Sequence, residues 1–187
     1  MKNTFLATLI LIISSLPSCA EILELNNQES KINYTFSYLG VPVKKKFLPA
    51  GGYIDIEKYD VNGKCLASPL LKELKLDVKF TSKSSVFKKA INYDKYPDFK
   101  FWTELKDPIK LTNDEFIELE GYLSFHGVDQ KIKIKLKSNI AENDISFTGF
   151  FDIKMTDFGI PQPKVFFIIL DDDIRTKVEL YTDLNEE

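Results

Sequence analysis

Between Gly121 and Lys137 the chain alternates apolar and polar positions in two runs. Leu119, Gly121, Leu123 and Phe125 fall on one face, and Glu118, Glu120, Tyr122 and Ser124 on the other. Beyond His126-Gly127, Ile132, Ile134 and Leu136 alternate with Lys131, Lys133, Lys135 and Lys137. Period two with one apolar face is the pattern of a half-buried antiparallel strand. Gly127 suits the tight turn between the runs, because glycine tolerates positive φ. The pattern predicts a hairpin whose lysines face water.

The rest of the chain repeats the pattern. Ile32, Tyr34, Phe36 and Tyr38 share a face in the run Ser30 to Tyr38. Gly40 to Pro49 reads as a break, with Lys44-Lys45-Lys46 on a solvated loop or edge. Gly51-Gly52 leads into a strand carrying Ile54 and Ile56, and Asn62-Gly63 signals a turn. Leu74, Leu76, Val78 and Phe80 mark another strand. Ser82 to Asn92 has helix-like spacing but is short, so a helical turn or an irregular loop is expected there. Phe99 to Glu104 and Ile145 to Ile153 are strands, separated from the C-terminus by the loop Asp157-Phe158-Gly159-Ile160-Pro161. Val165 to Leu170 is apolar on both faces, as for a segment buried on both sides or covered by a partner. Ile174 to Tyr181 alternates again. About eight or nine strands with short connections and almost no helix point to an all-β sandwich or barrel. Patterning does not choose between them, although closure removes exposed edges.

The apolar faces are aromatic: Tyr34, Phe36, Tyr38, Phe80, Phe99, Phe101, Phe125, Phe147 and Phe151. Such rings suit a packed core or the lining of an elongated apolar cavity. Composition alone points to the filled core.

Residues 1–20 stand apart from this pattern. Lys2 is followed by a nearly unbroken apolar run from Phe5 to Leu16, and Ser18-Cys19-Ala20 offers small residues for cleavage. That is the layout of a secretory signal peptide. The run is short for a membrane span, and no other stretch approaches the roughly 20 apolar residues a span needs. A periplasmic or secreted protein starting near Glu21 is expected, with residues 21–184 as one domain. Leu16-Pro17-Ser18-Cys19 partly resembles a bacterial lipobox, and the alternative is a lipoprotein in contact with a membrane through Cys19. A net charge of −3 over 187 residues argues against nucleic acid as a partner. Past residue 20 the only cysteine is Cys65, so no intramolecular disulfide supports the fold and the core must hold it.

The chain is poor in catalytic chemistry. It has one histidine, His126, where a metal site wants several converging ligands. Neither a Gly-x-Ser-x-Gly elbow nor a Gly-rich phosphate loop occurs. Asp171-Asp172-Asp173 lacks the spaced ligands of a calcium loop and reads as a solvated turn. No enzyme, metal or cofactor is expected, and His126 reads as a turn residue held by a hydrogen bond.

Three short motifs, in order, carry a resemblance. They are Lys95-Tyr96-Pro97 before a strand, Gly121-Tyr-Leu-Ser-Phe-His126-Gly127-Val128, and Asp157-Phe158-Gly159-Ile160. Together, behind a leader, they resemble the YceI-like family of bacterial lipid-binding proteins over roughly Glu21 to Leu184. The resemblance implies a single lipocalin-like antiparallel β-barrel of about eight strands with one short helical segment. It implies a long isoprenoid or quinone-type lipid in an internal cavity, an often dimeric exported protein, and no catalysis. The nine aromatics then become the candidate lining. Three family features are missing. Tyr38 stands near a family histidine of the first strand, Met155 where an arginine is common, and Ser84 to Asn92 lacks an "R-D-x-x-L" element.

Overall fold

The computed structural model describes residues 18–38, 41–59, 69–80, 88–89, 91–141, 144–162, 164–165, 168–169 and 171–183. The side chains of 18, 19, 36, 38, 42–47, 58, 59, 164, 165, 168, 169 and 183 are outside that description. The alternating runs become strands β1 (Ser18–Glu24), β2 (Lys31–Tyr38), β3 (Val41–Tyr59), β4 (Leu70–Lys79), β5 (Asp98–Thr103) and β6 (Ile109–Lys110). They continue as β7 (Phe116–Phe125), β8 (Val128–Ile140), β9 (Asp144–Lys154), β10 (Lys164–Val165), β11 (Ile168–Ile169) and β12 (Asp173–Asp183).

Strands β2, β3, β4, β5, β7, β8, β9 and β12 each pair antiparallel with the next, and β12 returns to β2. The described residues thus form a closed up-and-down barrel of eight strands, the architecture that abolishes sheet edges. The alternation decides which way each residue points. Ile134 and Leu136 of β8 are buried while Lys131, Lys133 and Lys135 are exposed. On the outer wall Lys131 and Lys133 pair with Glu120 and Glu118 of β7, at 2.6 and 2.7 Å. Such exposed pairs contribute about 0–1 kcal/mol, so burial of the inner face holds the hairpin. Trp102 likewise lies on the outer wall, stacked on Tyr122 with ring centroids 5.8 Å apart.

One place in the wall is built from two pieces. The first half of β3 pairs with β2, from Tyr38↔Val41 to Lys31↔Pro49. At Ala50 the strand passes to β4, and from Tyr53 to Tyr59 its other edge pairs with β1. Gly52, at φ 128°, marks the transition: a Cβ there would lie 2.0 Å from the Lys75 carbonyl oxygen. β1 and β2 therefore lie end to end between β3 and β12, joined by the turn at 26–30. That joint is tied to β12: the Asn26 N–H donates to the Tyr181 carbonyl at 2.8 Å, and the Tyr181 N–H donates to Ser30 Oγ at 2.9 Å.

Several expectations change. The break expected at Gly40 to Pro49 is strand from Val41 onward, with Lys44 and Lys45 opposite Thr35 and Tyr34. A bulge between Ile32 and Tyr34 of β2 adds a residue to β3, and this hides its period. Val165 to Leu170 lies partly outside the described residues; within it, β10 and β11 pair with each other in a two-stranded sheet apart from the barrel sheet. The helical turn expected at Ser82 to Asn92 lies mostly outside the described residues, as do Asn62, Gly63 and Cys65. A 3-10 turn forms at Thr156–Phe158, overlapping the stretch from Asp157 read as a loop.

Candidate functional site

The barrel has two different ends. At one, Leu71, Leu111, Ile145 and Leu180 fill the interior, each 1% exposed or less. At the other, the buried Phe80 follows the end of β4, Phe99 follows Asp98 at the start of β5, and the β7–β8 turn follows Phe125. Here the inward faces leave an apolar pocket of about 50 Å³, lined by Ile32, Tyr34, Phe80, Phe99, Leu123, Phe125, Phe151, Ile153, Ile174 and Thr176. Phe80 lies 5.5 Å from both Phe99 and Phe125, centroid to centroid, and Phe125 the same distance from Phe158. These tilted arrangements are the favoured contacts of rings with a negative face and a positive edge. A second hollow, on the outer wall, is lined by Asp77, Lys79, Asp98 and Lys100 among others; its mixed charge makes no apolar site.

Five of the predicted lining residues meet in the apolar pocket: Tyr34, Phe80, Phe99, Phe125 and Phe151. Phe101 and Phe147 do not reach it; at 1% and 2% exposure they are packed deeper in the barrel. The side chains of Phe36 and Tyr38 lie outside the described residues. Sequence reasoning passed over Ile32, Leu123, Ile153, Ile174 and Thr176, which share the inward faces of β2, β7, β9 and β12. Their signal was the alternation itself, overshadowed by the aromatics. Tyr34 brings a hydroxyl to this apolar setting, and burial raises its pKa above the ordinary phenol value. It is a neutral polar group at a greasy site.

The three motifs converge beside this pocket. His126 occupies the left-handed region at φ 55°, followed by Gly127 at φ 76°. Its Nδ1–H donates to the carbonyl of Phe158, 3.1 Å away, and this fixes the proton on Nδ1. The imidazole packs on Tyr96 with centroids 4.5 Å apart. Gly127 is needed where it stands: a Cβ would meet the Tyr96 ring at 2.7 Å. Behind the 3-10 turn, Gly159 takes φ 68° and its N–H donates to the Thr156 carbonyl. Asp172 accepts hydrogen bonds from the Thr156 N–H and hydroxyl, so this aspartate closes the turn. The arrangement joins the β7–β8 hairpin to the 156–160 segment and to the approach to β5. Among the described residues, no three His, Cys, Asp or Glu side chains gather as metal ligands would.

Compared with known proteins, residues 23–185 match the model of the YceI-like domain family. No match was found among curated proteins. Among solved structures, the crystal structure of BcnA from Burkholderia cenocepacia is similar at 13% identity and a TM-score of 0.56, covering 84% of this chain and 98% of that one. A polyisoprenoid binding domain from Saccharophagus degradans, implicated in plant cell wall breakdown, is similar at 12% identity and a TM-score of 0.54, over 91% of this chain and all (100%) of that one. A mutant CJ YCEI protein shows 17% identity and a TM-score of 0.51, over 99% and 94% of the two chains. At these identities the likeness is one of fold.

Proposed function

The chain belongs to the YceI-like family, and from that premise we propose an exported, non-catalytic protein that holds an isoprenoid or other long apolar molecule. The observation that carries the reading is the pocket: concave, apolar, ringed by aromatic side chains and sited at one end of a closed barrel. Burial of hydrocarbon there is favourable by about 0.8 kcal/mol per methylene, less the cost of ordering the chain. The Tyr34 hydroxyl and Thr176 supply what polarity the lining has. Export rests on the leader at residues 1–20, with release near Glu21 or lipidation at Cys19 as the two routes. The polyisoprenoid binding domain of similar fold supports the ligand class.

The small volume of the pocket favours a second reading, a filled barrel that serves as a structural or interaction protein. Organic extraction of the purified protein, followed by mass spectrometry, separates the two. The lipid reading expects a co-purifying apolar lipid, lost or reduced in a folded Phe125→Asp variant. A clean extract, together with no binding of added polyprenol or quinone-type lipid, overturns it.

A further inference from the structure

On four of the strands the lining of the pocket gives way to a packed interior at a definite residue. Along β7, Phe125 and Leu123 line it, and the next inward residue, Gly121, does not. Along β5 the boundary falls between Phe99 and Phe101. Along β9 it falls between Phe151 and Gly149, and along β12 between Thr176 and Val178. Below that level the interior is interlocked. The Phe101 ring occupies the space over Gly121, where a Cβ would lie 2.6 and 2.7 Å from its ring carbons. Gly149 is filled in the same way, by Val178 Cγ2 at 2.6 Å and Leu136 Cδ1 at 2.9 Å from a Cβ position. Phe101 is 1% exposed and Val178 0%. Two residues without side chains thus receive those of their neighbours, and the floor is solid.

We propose, on the basis of the lipid-binding reading, that this is an end-on site of limited depth. It takes the terminal segment of an apolar chain and leaves the remainder outside the barrel, and Phe101 seated on Gly121 sets the depth. Two inward-facing residues per strand span about 7–10 Å at roughly 3.3 Å per residue, room for the last one or two isoprene units. The volume of about 50 Å³ agrees, since sites that enclose a whole drug-sized molecule hold about 300–1,000 Å³.

The test is a calorimetric titration of the protein with prenols of increasing chain length and a common alcohol head. Affinity is expected to tighten about fourfold per buried methylene over the first units and then to level off. Phe101→Ala, or the milder Phe101→Leu where alanine does not fold, moves the plateau to longer chains. The first prenol beyond the wild-type plateau should bind such a variant at least about tenfold more tightly. Affinity that climbs without a plateau in the wild type overturns the inference alone, and so does a plateau unmoved in a folded Phe101 variant. Absence of binding at every length overturns the lipid reading and this inference with it. The wild-type series, plateau or none, decides without any variant.

Discussion

Replacing Gly121 by alanine puts a methyl group where two other groups already are. Its Cβ would lie 2.4 Å from the Trp102 carbonyl oxygen and 2.6 Å from Phe101 Cζ. Neither can step aside cheaply. The carbonyl belongs to β5, which is held in register against β7 by Trp102↔Tyr122 and its neighbours. Phe101 is 1% exposed, enclosed in the barrel interior. Overpacking a well-filled core costs about 1–3 kcal/mol, and a backbone obstacle places Gly121→Ala at the upper end. Alanine offsets about 0.4–1 kcal/mol of this by restricting the unfolded chain. A net loss of about 2 kcal/mol follows. At about 2–4 °C per kcal/mol for a chain of this size, Tm should fall by about 4–8 °C. With a urea m-value of about 1–3 kcal/mol/M, the midpoint should fall by about 1 M. A double-mutant cycle with Phe101→Leu identifies the cause: the alanine should cost less once the ring is gone, with a coupling of about 0.5 kcal/mol or more. A loss below about 0.5 kcal/mol, or no coupling, would refute the close seating of Phe101 on Gly121.

Two further substitutions probe the frame around the pocket. Thr103→Val removes the hydroxyl that accepts the Leu74 N–H at 2.9 Å in a buried setting; the orphaned donor should cost about 1–3 kcal/mol, and the Leu74 amide should exchange faster with solvent, so an unchanged exchange rate would contradict this. His126→Ala loses the bond to the Phe158 carbonyl and forces alanine into φ 55°, for about 1–2 kcal/mol by urea denaturation; His126→Asn should recover part of it, because asparagine tolerates that region, and equal losses in the two variants would show that φ is not the issue.

The direction in which each side chain points was legible in the sequence wherever strict alternation survived. The lysine hairpin Gly121 to Lys137 is the clearest case, since a shift by one residue would bury Lys131, Lys133 and Lys135. Depth along the barrel axis was not legible. Phe99 and Phe101 have the same parity on the same strand, yet one borders the pocket and the other is its floor. Period two records the face and nothing about the level. The first half of β3 was hidden for another reason: a bulge shifts the phase just where three lysines suggest a loop. The motifs at Tyr96, His126 and Phe158 could be ordered along the chain, but their contact depends on how the barrel closes, which no local pattern states.

The two-piece place in the wall separates the strand that serves the pocket from the strand that completes the far end. β2 carries Ile32 and Tyr34 to the pocket, whereas β1 pairs with the far half of β3 and lies beside the end of β12. The knot of Asn26, Ser30 and Tyr181 lies between them and clamps β2 whether or not β1 is complete. Trimming the chain ahead of Glu21 deletes the pairs Ser18↔Tyr59, Cys19↔Lys58 and Ala20↔Glu57, all at the closed end. A molecule assembled this way tolerates variation in where it begins, because fraying that starts at its first residue has to undo the knot before it reaches the mouth.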